Sequence, residues 1–183
     1  MKKFVGILLA VSCCCLFAIA QDQAAPKPPT PADGYTIHVT APHMVNGKEM
    51  GPYHHYCKVV SPEPQIVCLI FNDTEPNSML TQVEYIMAKS LTRSALSRAE
   101  WNKLWHDHAV EIAGGRVKVL DLPDDKAKEV ADIVAKTDGI IYSFDFTGKL
   151  PNGNVTHAQA VGHKPLSQSD YNKSKSEAAA PAK

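Results

Sequence analysis

The sequence lacks an excess of charge of either sign, since its 183 residues include 19 Lys and Arg and 19 Asp and Glu. A protein that follows a phosphate backbone needs clustered basic side chains in excess. The composition therefore gives no support for a nucleic-acid partner. The sequence also lacks a G-x-S-x-G motif, a glycine-rich phosphate loop and a C-x-x-C motif, so three common catalytic classes have no support.

Long apolar runs are scarce, and the main one lies at the start of the chain. Lys2 and Lys3 precede an apolar run that ends in "AIA" at Ala20, which is typical of an export signal over residues 1–20. The run is shorter than the roughly 20 residues that span a bilayer, so we expect no transmembrane anchor in the mature form. We expect a periplasmic or secreted protein, with a lipoprotein processed at Cys13 as the alternative.

Cysteine is scarce once the signal is removed, because only Cys57 and Cys68 of the five cysteines remain. Two cysteines in an oxidising compartment predict one disulfide. The segment "SPEP" at residues 61–64 predicts a turn, and counting outward from it in an antiparallel hairpin places Cys57 opposite Cys68.

Composition divides the exported chain into three parts. Residues 21–33 are proline-rich and residues 166–183 are rich in Ser, Lys and Ala, so we expect a disordered linker and a disordered polar tail. The folded domain is predicted at residues 34–165. Strands are predicted at residues 35–40, 53–60, 66–72 and 80–88 and at "IIYSFDF". Helices are predicted from Ser97, which forms a capping box with Glu100, and over residues 123–136.

This order of elements predicts an α+β fold in a single domain. We expect an antiparallel sheet of about five or six strands with two main helices packed on it.

The stretch "HHYC" contains the first candidate ligands. On a strand, His55 and Cys57 share one face while His54 points to the other. Imidazole and thiolate together suit zinc or copper. The alternative is that His54 is solvated and His55 is a hydrogen-bonded sheet residue.

The stretch "LWHDHAVEI" contains the second group. In extended chain His106 and His108 share one face and could hold one metal ion. If the helix from Ser97 continues, only His108 lies on the tryptophan side. A polar helix end without a ligand is the alternative.

Glu84 is the third candidate, because alternation places it on the face of Leu80 and Ile86. A buried carboxylate needs a partner, so Glu84 could bind metal, orient a histidine or act as a general base. An edge-strand glutamate paired with Lys or Arg is the alternative.

Read in order, "HHYC", Cys68, "VEYIMA" and "LWHDHAVEIAGG" resemble the oil body-associated protein family over residues 34–151. The export signal indicates a bacterial-type member. The resemblance implies no defined reaction, and a lipid surface as partner follows only from the family name. The chain departs from the family pattern at Val67, in "KTDGIIYSFDF" and in "LPNGNVTHAQA", so the resemblance says least about the C-terminal third.

Three functional hypotheses follow. The preferred one is a metal- or small-ligand-binding domain in which zinc or copper is held by a set of candidate ligands: His55, His106, His108 and Glu84, with His54 and Cys57 as alternates. The second is a structural or interaction domain stapled by the Cys57–Cys68 disulfide, without metal. The third is a metal-dependent hydrolase with Glu84 as general base.

Overall fold

The computed structural model describes residues 29–179. The predicted signal peptide and residues 21–28 of the predicted linker lie outside the described residues. Eight strands and five helices are present in the described part of the chain. In chain order they are β1 (Ile37–Val45), β2 (Lys48–Ser61), β3 (Gln65–Phe71), β4 (Leu80–Ala88), α1 (Lys89–Ala95), α2 (Arg98–Leu104), β5 (His106–Asp107), α3 (His108–Ala113), β6 (Lys118–Leu120), α4 (Asp124–Val134), β7 (Thr137–Thr147), β8 (Leu150–Ala160) and α5 (Gln168–Ala178).

All strand pairs are antiparallel, and the strands follow the order β2-β3-β4-β7-β8-β1-β6, with β5 paired to β7. Because β1 also pairs with β2, six of the strands form a closed ring. The α+β class is confirmed, with more strands and helices than the sequence predicts. The additional strands are the short β5 and β6 and the polar β8, whose sequences carry little β-branched or aromatic signal.

The hairpin of β2 and β3 has the predicted register, with Cys57 opposite Cys68. The structure pairs Ser61 with Gln65 and leaves Val60 in a bulge. The bulge lies next to the turn, so the strand pairs from Val59 to Cys57 keep the predicted register. The two cysteines form the predicted disulfide, with their Cα atoms 4.0 Å apart.

Alternate residues of β2, β3 and β4 face the interior of the ring. The buried hydrophobic cluster there consists of Tyr53, Cys57, Ile66, Cys68, Ile70 and Ile86. His55 lies between Tyr53 and Cys57 on the same face of β2 and is also buried. The core and the candidate ligands therefore share the inner face of the sheet.

The predicted capping box is present at α2, where Ser97 and Glu100 each bind the other's backbone N–H. The helix ends at Leu104, because Trp105 is extended (φ −109°, ψ 159°). His106 and Asp107 can therefore pair with β7 as a two-residue strand. The second predicted helix is also present, as α4 with Pro123 at its N-cap.

The C-terminal segment differs from the prediction of a disordered tail, because α5 occupies Gln168–Ala178. Ser167 caps this helix by accepting from the Asp170 N–H. Tyr171 is buried, and its hydroxyl donates to the Leu96 carbonyl over 2.8 Å. One aromatic anchor and a cap thus order a segment whose average composition is polar. None of the helices within residues 29–179 is long and apolar enough to cross a membrane.

Candidate metal centre

Glu84, His106 and His108 meet inside the sheet, and we call them the Glu84 cluster. Glu84 Oε1 lies 3.2 Å from His106 Nε2 and 3.1 Å from His108 Nε2. All three side chains are buried, and their ligand atoms lie within 4.8 Å of one another. Two imidazoles and one carboxylate at this spacing are able to bind a single metal ion.

The backbone brings these residues together by strand pairing. Glu84 faces inward from β4, and β5 pairs with β7 so that His106 lies opposite Gly139. Asp107 caps α3 by accepting from the Ala109 N–H over 2.8 Å, so His108 begins that helix. His106 and His108 thus reach one point although only His106 lies on a strand.

Gly139 leaves the space in which the three side chains meet. A Cβ atom at this position would lie 2.6 Å from His106 Nε2 and 2.7 Å from His108 Cε1, and it would also contact Glu84 Oε1. Its φ is not positive, so glycine is required here for room and not for backbone conformation.

The orientation of His108 is fixed by Thr137. The Thr137 hydroxyl donates to the Val134 carbonyl over 2.6 Å, so its oxygen accepts from His108 Nδ1–H over 3.0 Å. Nε2 is therefore the nitrogen that faces Glu84, as in histidines held by an outer partner for metal binding. Nδ1 of His106 is buried and has no hydrogen-bond partner among the described residues.

Ionisation follows from burial and from these contacts. Burial acts to raise the pKa of Glu84, but hydrogen bonds from His106 and His108 hold it well below its ordinary value. Burial acts to lower the pKa of His108, but the hydrogen bond and charge of Glu84 raise it to about 9. In the metal-free protein a proton thus lies between Glu84 and His108, where a bound cation would replace it.

His55 and His43 lie beside the other oxygen of Glu84. His55 Nε2 is 3.9 Å from Glu84 Oε2 and 3.0 Å from His43 Nε2. His43 Nδ1 lies 2.6 Å from Gln82 Oε1. Burial lowers the pKa of His43 to about 3, so its imidazole is neutral at physiological pH.

Sequence analysis did not single out His43. The predicted strand stopped at Thr40, whereas β1 continues to Val45. His43 continues the inward-facing series of Val39 and Ala41 at a period of two, so it faces the interior together with His55. The signal available in the sequence was a second histidine, after His38, on a first strand longer than the predicted one.

The two alternates lie elsewhere. His54 points to the opposite face of β2, where its Nδ1 is 3.0 Å from His38 Nε2. The sulfur of Cys57 is in the disulfide and is not a free thiolate. The ligation of a metal by His55, His106, His108 and Glu84 stays a prediction.

A cavity of about 50 Å³ adjoins the Glu84 cluster between the inner face of the sheet and α4. Glu84, His108, His55, His43 and Glu111 form the polar part of its wall, and the remainder is almost wholly apolar. Burial raises the pKa of Glu111. The Glu84 cluster therefore adjoins a small cavity that is apolar apart from these five side chains.

A second buried polar group lies on the other side of β5 and β7, and we call it the arginine cluster. Asp138 accepts from Arg93 Nε over 2.8 Å, from Arg93 Nη2 over 2.7 Å and from the Thr92 hydroxyl over 2.5 Å. Asp107 accepts from Lys89 Nζ over 2.7 Å. The Arg93 guanidinium also stacks on the Trp101 ring, 4.1 Å from its centroid.

Residues 29–178 match a family described as a protein of unknown function, DUF1264. The chain belongs to this family. Among curated proteins, this chain is 34% identical to oil body-associated protein 1B of Arabidopsis thaliana over 111 residues, which is 59% of this chain and 45% of the relative. It is 32% identical to oil body-associated protein 2C of the same plant over 103 residues, which is 55% of this chain and 42% of the relative.

The chain thus spans less than half the length of either relative. The resemblance inferred from the sequence motifs is confirmed by these matches. No solved structure matches the chain.

Proposed function

We propose that this domain binds one divalent transition-metal ion through Glu84, His106 and His108 and presents it to a small ligand in the adjoining cavity. The observation that carries the proposal is the convergence of three buried potential ligand atoms, all within 4.8 Å of one another, at one point beside Gly139. Their side chains fill the room that the glycine provides, and a bound ion would take the place of the proton between Glu84 and His108.

The donor set indicates which ions fit. Two imidazole nitrogens and one carboxylate oxygen suit zinc, and the same set with open positions is used by iron(II) enzymes. Copper also accepts imidazole ligands. Three protein ligands leave at least one position for water or a small ligand.

Glu84 is a ligand in this proposal and not a general base. Its Oε1 contacts Nε2 of both histidines, so this oxygen lies next to the place proposed for the ion. The hydrolase hypothesis, in which Glu84 acts as the base, is therefore the less supported one.

His55 is proposed as an accessory group. Its Nε2 lies 3.9 Å from the second oxygen of Glu84, beside the place proposed for the ion. His54 on the opposite face provides a matched control for this role, because it is the adjacent residue on the same strand.

Metal titration of purified protein stripped with a chelator tests the proposal. We expect one zinc or cobalt(II) ion per chain by calorimetry, and at least a hundredfold loss of affinity in Glu84→Gln and His108→Gln. His55→Gln should weaken binding less, and His54→Gln should not change it. Absence of binding, or equal affinity in Glu84→Gln and wild type, would overturn the proposal.

The second candidate is a structural or interaction domain, which is favoured by the disulfide between Cys57 and Cys68. In the chain-entropy model a loop of this length stabilises by roughly 3 kcal/mol. Counting free thiols in denatured, unreduced protein checks the bond. A metal-free protein with an intact disulfide and no response to added metal would favour this candidate.

We also propose export to the periplasm or the medium. The pattern from Lys2 to Ala20 and the presence of a disulfide support it. Fractionation of cells that express the chain with and without residues 1–20 tests it. Retention of both forms in the cytoplasm would overturn it.

A further inference from the structure

We infer that the small ligand of this site is a short aliphatic monocarboxylate, whose carboxylate binds the metal ion while its alkyl chain occupies the cavity. This inference rests on the proposed metal site and adds the chemical class of its ligand. Three properties of the cavity carry it: the chemistry of its walls, the charge at its polar end and its size.

The walls select an aliphatic chain. They are formed by small and branched hydrocarbon side chains, among them Ile37, Val39, Ile66, Val119, Val130 and Ala131. No Phe, Tyr or Trp is among the described residues that line the cavity. A hydroxyl or a second charge on the ligand chain would lose its water there without gaining a hydrogen bond, and this loss disfavours binding.

The polar end selects an anionic head. Glu84 and His108 belong both to the proposed ligand set and to the cavity wall. An ion held there is therefore next to the cavity. A divalent ion with one ionised carboxylate and neutral imidazoles has a net positive charge, which a single carboxylate neutralises in this buried place. Glu111 lies farther from the proposed ion site than Glu84 does, since its Oε2 is 3.9 Å from His106 Nε2 and 4.0 Å from His108 Nε2, so it is not counted among the ligands.

The size of the cavity limits the length of the chain. A buried water needs roughly 10–15 Å³ of such space. The volume of about 50 Å³ thus corresponds to about four water-sized positions. Butanoate and pentanoate have chains of this size, whereas acetate leaves the apolar walls uncovered.

Cobalt(II)-loaded protein provides the test, because the visible spectrum of the ion reports a new ligand in its coordination sphere. We expect pentanoate to change this spectrum and to bind at least tenfold more tightly than acetate or succinate. Ala131→Leu, which fills the cavity, should weaken pentanoate at least tenfold without altering cobalt affinity. Ala127→Leu is the matched control, since Ala127 lies on the same helix but does not line the cavity.

The outcomes separate the two proposals. Failure of cobalt to bind overturns the metal site and this inference with it. Normal cobalt binding with equal affinities for acetate, pentanoate and succinate, or an unaffected Ala131→Leu, overturns this inference alone. Binding of pentan-1-ol as tight as that of pentanoate would show that the cavity accepts apolar chains without a carboxylate, and it would also overturn the inference.

Discussion

The Glu84 cluster and the arginine cluster lie on opposite sides of the paired strands β5 and β7, yet their groups are paired very differently. In the arginine cluster the Asp138 carboxylate receives three hydrogen bonds from Arg93 and Thr92. In the Glu84 cluster two histidines converge on one carboxylate oxygen, and Nδ1 of His106 has no partner among the described residues. A saturated buried network indicates a structural role, whereas an unsaturated one with adjoining space indicates a place for a ligand.

The strongest test of this contrast is removal of charge from the saturated cluster. Asp138→Asn leaves the buried Arg93 guanidinium without its ionic partner, so we expect a loss of about 3–5 kcal/mol in the free energy of unfolding. Urea denaturation measures it. Lys126→Ala, which removes an exposed ion pair with Glu129, should change stability by less than about 1 kcal/mol. A cost for Asp138→Asn as small as that of the control would contradict the structural role.

The next test closes the space of the unsaturated cluster. Gly139→Ala places a methyl group against Glu84, His106 and His108, so we expect metal affinity to fall about a hundredfold, or about 2.7 kcal/mol. Calorimetric titration measures it, with Gly114→Ala as control because that glycine lies at the end of α3 with an ordinary φ of −78°. Unchanged affinity in Gly139→Ala would mean that the ion, if bound, lies elsewhere.

The pH dependence of stability should distinguish the clusters in metal-free protein. The pKa of His108 is raised from 6.5 to about 9, so its contribution is fully present below pH 6.5 and is lost as pH rises through 9. We expect the free energy of unfolding to fall by on the order of 2 kcal/mol between pH 7 and pH 9. The pKa values of His43 and His55 are lowered from 6.5, so their effect on the free energy of unfolding falls at pH values below this range.

Denaturation at the two pH values checks this expectation. Glu84→Gln should remove most of the slope, and saturating zinc should also remove it, because metal ligation requires the deprotonated imidazole. His157→Gln, at an exposed position on β8, should leave the slope unchanged. An identical slope in Glu84→Gln would contradict the assignment to His108.

The last comparison uses two buried threonines, one for each cluster. Thr137→Val removes the acceptor of His108 Nδ1–H, so we expect metal affinity to fall about tenfold. Thr92→Val removes a hydrogen bond to Asp138 and should cost about 1.5–3 kcal/mol of stability without a change in metal affinity. Loss of metal affinity in Thr92→Val, with none in Thr137→Val, would contradict the roles assigned to the two clusters.

Local periodicity predicts much of the inner face. The alternation of β2 put His55 and Cys57 on one face, that of β4 put Glu84 on the face of Ile86, and these faces are buried. The H-x-H spacing marked His106 and His108 as a pair, although only His106 lies on a strand. The turn count gave the cysteine pairing. These features depend on residues close in sequence, where the period of two determines which side chains share a face.

Features that depend on distant pairing were not predictable in this way. The pairing of Arg93 with Asp138 across 45 positions leaves no periodic trace. His43 was missed for a different reason, because the predicted strand stopped at Thr40 although the alternation of β1 continues to it. Gly139 had a weaker signal, since a glycine within a β-branched strand often marks a close approach. The helix α5 was not predicted because the average composition of its segment is polar and does not reveal that the ring of Tyr171 is buried.

The missing side chain at position 139 has a consequence for the rest of the DUF1264 family. Because a methyl group there would contact Glu84, His106 and His108 at once, a homologue with a larger residue at this position cannot bring these three side chains together in the same way. Such a homologue should then be free to lose the carboxylate and the histidines as well. Glycine at this position is thus expected to be inherited together with Glu84, His106 and His108, and its presence would mark from sequence alone which relatives retain the proposed site.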